Sequence, residues 1–230
     1  MIYVTYCAGV LSLIPIGLVG YVCVNKKRYE MNAINKLTLL IAFAISALGV
    51  YAQEAYAVKD FDVKIEGTST LHDWVSEVTK VKSDAKLAFE GQRLKQIDQL
   101  SVTIPVKSIE STKGRIMDNK TYDALKSKSH PNISFKLKSA KVTPTGTKSV
   151  RVNATGALTI AGATRTVELV ANGKPASDEA ITFSGSKQLR MSDYNIEQPT
   201  ALLGTIETGN EVTIRYQLTL TSDSQQANRF

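Results

Sequence analysis

The chain has 230 residues, 43% of them hydrophobic, and carries 28 Lys or Arg against 21 Asp or Glu for a formal charge of +7. The basic residues are scattered, without the dense stripe of a nucleic-acid binder, so nucleic acid is set aside as a partner. Both cysteines, Cys7 and Cys23, fall in the first apolar run, so the rest of the chain has no disulfide, cysteine nucleophile or thiolate metal ligand and must be held by a packed core.

In chain order, the first element is the uncharged run "YVTYCAGVLSLIPIGLVGYVCV" (Tyr3 to Val24), long enough to span a hydrocarbon core. It ends at Lys26, Lys27 and Arg28, a flank of the kind that stays cytoplasmic. A second run, "MNAINKLTLLIAFAISALGVYAQ", starts at Met31. Lys36 supplies an n-region, Leu37 to Val50 an h-region, and Val50-Tyr51-Ala52 a small-residue cleavage site. Residues 1–30 are therefore either a membrane helix or an over-extended gene start, and 31–52 a signal peptide. The order of the signal-peptide parts favours a true start at Met31. Either reading exports the chain beyond Ala52 to the periplasm or the outside, tethered to the membrane if residues 1–30 are genuine. Residues 53–230 have the size of one domain, with a core of about 56–222.

From Phe61 onward the period is two. "FDVKI", "DAKLAFE", "QLSVTIPVKS", "NISFKLKSAKV", "SVRVNATGALTIAG", "TRTVELVANG", "AITFSGS" and "EVTIRYQLTLTS" each alternate apolar and polar positions, the mark of half-buried antiparallel strands. Turn signals stand at Glu90-Gly91, Pro144-Thr145-Gly146, Ala161-Gly162, Asn172-Gly173-Lys174-Pro175 and Thr208-Gly209-Asn210. The period breaks at "DNKTYDALKSK", which predicts a short helix capped by Asp118 or Asn119, with Tyr122 and Leu125 on one face. At least eight strands and one helix predict an all-β barrel or sandwich.

Several stretches in order resemble the YceI-like family of exported proteins that bind polyisoprenoids and other long lipids: "VTIPVKSIES", "HPNISFKLKS", "GALTIAGATRTVEL" and "RMSDYNI". The third is the closest match, to a Gly-x-Leu-Thr-Ile-x-Gly-x-Thr-Arg pattern. The chain departs from the family at Arg115-Ile116-Met117-Asp118 and at "TSTLHDW", two places that could reshape a pocket mouth. The resemblance implies a lipocalin-like antiparallel β-barrel with an apolar tunnel, no cofactor and no enzymatic activity. Its implied partner is an apolar lipid such as a polyisoprenoid or fatty-acyl compound, with membrane contact for lipid exchange and a homodimer left open.

The candidate tunnel wall is Leu87, Phe89, Val102, Ile104, Phe135, Leu137, Leu158, Ile160, Leu169 and Phe183. Inward residues of a small barrel either pack solid or line a cavity; residue type does not separate the two, and plain core is the preferred reading residue by residue. The candidate polar mouth is His72, Trp74, Arg115, Asp118, Arg165, Arg190 and Asp193. His72 and His130 are the only imidazoles, too few for a zinc shell without carboxylates, and Asp73 points away from His72 on an extended strand. No Gly-x-Ser-x-Gly elbow occurs. A rim role is favoured for His72, and no metal site is expected. Arg165, Arg190 and Asp193 read as a polar latch at the mouth or as barrel-end ion pairs of little worth. A histidine-dependent or metal-assisted hydrolase and a ligand-free envelope module remain as alternatives.

Overall fold

Strand pairing in the computed structural model closes a sheet on itself. The structure describes residues 53–177, 180–201 and 204–222; the expected apolar start and signal peptide, residues 1–52, lie outside them. The strands are β1 (Gln53–Ser69), β2 (Trp74–Val78), β3 (Lys82–Glu90), β4 (Arg93–Pro105), β5 (Ile109–Ser111), β6 (Asn132–Pro144), β7 (Val150–Ile160), β8 (Ala163–Ser177), β9 (Ala180–Arg190), β10 (Thr200–Ala201) and β11 (Ile206–Ser222). A helix, α1 (Arg115–Ala124), and two 3-10 turns, Val106–Ser108 and Met191–Tyr194, complete the described elements. The order β11-β9-β8-β7-β6-β4-β3-β1 returns to β11 through Tyr56↔Ser222 to Ser69↔Thr208, giving an eight-stranded antiparallel barrel. Closure gives each of the eight strands a neighbour on both sides, the arrangement that removes free sheet edges. The short strands β2, β5 and β10 extend one end of the wall.

Period-two alternation explains the barrel wall. Along β7, Val150, Val152 and Ala154 are buried while Arg151 and Asn153 are exposed, because successive side chains point to opposite faces. The turn after β7 places Ala161 and Gly162 at φ +48° and +84°, the paired positive φ values of a type I′ hairpin. A Cβ on Gly162 would stand 2.5 Å from the His130 ring.

Three sequence expectations fail locally. Asn172-Gly173-Lys174-Pro175 is not a turn but lies inside β8, with Gly173 opposite Val150 and Pro175 opposite Ile181. A Cβ on Gly173 would sit 2.8 Å from Val150, so the glycine serves close side-chain approach, and Pro175 stands beside a register shift, where a missing N–H is tolerated. Thr208-Gly209-Asn210 likewise lies inside β11, at a shift against β1. There the Asn210 carbonyl oxygen accepts from the Ser192 N–H at 3.0 Å and its amide donates to the Ser192 hydroxyl at 3.0 Å, so turn-forming residues tie a bulge to the neighbouring 3-10 turn. Finally, α1 starts at Arg115 after Gly114 (φ +89°), ahead of the expected cap. The Asp118 carboxylate accepts from the Ser111 N–H at 2.6 Å, which commits it to the preceding strand rather than to the helix end.

One end of the barrel is solid. Leu87, Leu94, Val150 and Ile181 are each at most 1% exposed and pack with Tyr56, Phe183 and Leu220. The Tyr56 and Phe89 rings lie 5.5 Å apart against this cluster.

Candidate functional site

Beyond the solid end the interior opens. An inner cavity of about 170 Å3 is walled by inward residues of β4, β6, β7, β8, β9 and β11. An outer cavity of about 300 Å3 lies towards α1 and the Met191–Tyr194 turn. Ile133 and Ile214 line both, so the two spaces adjoin there. Strand β7 runs through the whole sequence of environments: Val150 in the solid core, Val152, Ala154 and Leu158 on the inner cavity, Ile160 on the outer one. The inner surface is carbon throughout; even Lys187 and Tyr216 present only carbon to it. The Tyr216 hydroxyl donates to the Val170 carbonyl at 3.3 Å, and burial pushes its phenol above the ordinary tyrosine value.

Of the ten wall candidates, Val102, Ile104, Phe135, Leu137, Leu158, Leu169 and Phe183 line the inner cavity and Ile160 the outer. Leu87 and Phe89 line neither and belong with the solid cluster, because β3 passes the barrel at its filled end. The Phe135 ring lies over Gly156, where a Cβ would approach it to 2.3 Å.

The mouth candidates divide. His72, Trp74 and Arg190 line the outer cavity. The Trp74 indole lies on Gly67, where a Cβ would come within 2.3 Å of the ring, and its Nε1–H donates to the Thr68 carbonyl at 3.0 Å. His72 Nδ1 stands 3.0 Å from the Asp73 carbonyl oxygen. Arg190 pairs with Glu211 at 3.6 Å, not with Asp193. Arg165 Nε donates to the Asp193 carbonyl at 2.8 Å, and so fixes the turn that carries Met191 and Tyr194 into the cavity wall. Arg115, Asp118, Arg165 and Asp193 line neither cavity. No cluster of three or more metal-ligating side chains occurs among the described residues.

Residues 50–220 match the model of the YceI-like domain. The chain belongs to the YceI-like family. Among solved structures, BcnA from Burkholderia cenocepacia is 20% identical, with 69% of this chain and 95% of that chain covered and a TM-score of 0.56. A polyisoprenoid binding domain from Saccharophagus degradans, implicated in plant cell wall breakdown, is 12% identical, with 74% and 99% covered and a TM-score of 0.57. At these identities the likeness is one of fold. No curated protein matches.

This YceI-like barrel also uses residues that alternation did not single out. Met117, Lys120, Thr121 and Ala124 line the outer cavity, at the i, i+3, i+4, i+7 spacing of one helix face. Applying that period from Arg115 onward would have found them. The expected face of Tyr122 and Leu125 is split: the Tyr122 hydroxyl donates to the Lys107 carbonyl at 3.1 Å, while Leu125 lines the cavity.

Tyr194 also lines the outer cavity, is 2% exposed, and its hydroxyl has no hydrogen-bond partner among the described residues. Burial first, then the Asp193 charge, hold its phenol above the ordinary range. A buried polar group without a partner costs about 1–3 kcal/mol. Tyr194→Phe is therefore expected to unfold at the same or a higher urea concentration than the parent. A loss equivalent to about 1 kcal/mol in urea melts would show that the hydroxyl is bonded in solution.

Proposed function

We propose that the protein is an exported, non-enzymatic carrier for a long apolar lipid of isoprenoid or fatty-acyl type, held inside the barrel. The observation that carries this reading is the pair of adjoining cavities that runs from α1 to the Leu87–Ile181 cluster behind an all-carbon inner wall. Removing apolar surface from water contributes about 0.8 kcal/mol per methylene, so a chain reaching the inner cavity gains affinity with each added carbon until it meets the filled end. The Saccharophagus degradans domain of the same fold is a polyisoprenoid binding domain, which supports this ligand class. Exposed Leu71 and Ile116 fit membrane contact during lipid exchange: each is a chain neighbour of a cavity-lining residue, His72 and Met117. Export rests on the signal peptide read at residues 31–52.

Solvent extraction and mass spectrometry of protein purified from its own host are expected to yield a co-purifying long-chain lipid. The extracted protein is expected to take up an apolar fluorescent probe. Protein that yields no lipid and takes up no probe would rule the carrier out.

A further inference from the structure

We propose that the carried lipid has an anionic head group, a carboxylate or a phosphate, seated between Lys113 and Lys120 at the α1 end of the barrel. This deepens, and rests on, the carrier reading above.

Among the described residues no Asp or Glu lines either cavity, whereas the outer one is lined by Lys113, Lys120 and Arg190. Arg190 is already engaged with Glu211. Lys113 and Lys120 take part in no ion pair among the described residues. Lys120 is the informative residue. It stands on the α1 stripe Met117–Lys120–Thr121–Ala124 that faces the cavity, a stripe whose other members are apolar or neutral. A solvated lysine would be expected on the opposite face.

The helix end adds charge of the same sign. The N-terminus of α1 has Gly114 at its cap position and no side-chain cap, so its unpaired N–H groups add partial positive charge beside Lys113. The one acidic group of that first turn, Asp118, is turned to the Ser111 N–H. Thr121, Thr200 and Thr208 belong to the same lining. At the opposite end, the inner cavity offers carbon alone, where an ion would be stripped of water without a partner. The arrangement orients an amphiphile with its chain towards Phe135 and Phe183 and its head at α1. Both lysines are exposed, so their attraction is partly screened by solvent and weakens with salt.

Displacement of an apolar fluorescent probe from delipidated protein tests this with matched pairs: oleate against oleyl alcohol, and farnesyl phosphate against farnesol, at mildly alkaline pH. Each anion is expected to bind about tenfold more tightly than its alcohol at low salt, with the difference shrinking at high salt. A preference confined to the oleate pair assigns a carboxylate head, and one confined to the farnesyl pair a phosphate head. The double variant Lys113→Gln, Lys120→Gln is expected to abolish the preference, read as the ratio of anion to alcohol affinity within each pair. Equal affinity of anion and alcohol, or a preference that survives the double variant, overturns the proposal and leaves the carrier reading standing. If none of these probes binds, the carrier reading itself fails.

Discussion

Leu87→Ala is expected to lower the free energy of unfolding by about 2–5 kcal/mol and to leave the affinity of the folded fraction for a long-chain probe unchanged. Leu87 is 1% exposed, packs among the residues of the filled end and lines neither cavity. Removing its side chain deletes contacts on every side, and the close-packed surroundings relax only in part. Phe135 is the informative contrast. It is 8% exposed, but one side of its ring covers Gly156 and it also borders the inner cavity. Truncating it enlarges a space that already exists, so Phe135→Ala is expected to fall short of the roughly 3–5 kcal/mol typical of a fully packed phenylalanine. Its affinity for a long-chain probe is expected to change while the protein remains folded. Urea melts and probe titrations on the two variants separate the cases. A Phe135→Ala variant that loses the full amount with unaltered affinity would return Phe135 to plain core.

The largest effect on binding is expected from Ile133→Trp. Ile133 lies on both cavities, opposite Ile104 on β4, so an indole there fills the neck between them. The substitution adds volume next to space rather than into packed atoms, and its stability cost is expected at or below the low end of the roughly 1–3 kcal/mol usual for overpacking. A ligand long enough to need the inner cavity is expected to bind more than about tenfold less tightly, the equivalent of losing about two buried methylenes. A short probe that fits the outer cavity alone keeps its affinity. Titrations with two alcohols of different chain length report the result. Parallel loss for both lengths would mean that the two cavities do not act as one chain-binding path.

The alternation of Val150, Val152, Ala154, Leu158 and Ile160, and the same pattern in the neighbouring strands, was enough to read an all-β protein, because a period of two has one physical meaning wherever it persists. The "GALTIAGATRTVEL" stretch then pointed to the family that the match over residues 50–220 shows. Turn residues were less reliable guides: the Asn172–Pro175 and Thr208–Asn210 stretches carry turn composition but serve a close approach and a bulge within long strands. Local chemistry cannot say whether a glycine bends the chain or makes room for a side chain from another strand.

Strand β2 was missed because "WVSEV" is short, and its pairing with β1 and β5 is a long-range fact. The chain itself therefore determined the eight barrel strands and their inward-facing positions, and the family resemblance chose a barrel over a sandwich. Only the tertiary structure decided which of those residues meet filled space and which meet a cavity. Leu87 and Leu158 are equally apolar and equally inward. Leu87 belongs to the buried cluster of Leu94 and Ile181 at the filled end, while Leu158 borders the inner cavity. That difference depends on how many strands share a level of the barrel and on the size of the residues opposite, quantities that no single segment contains.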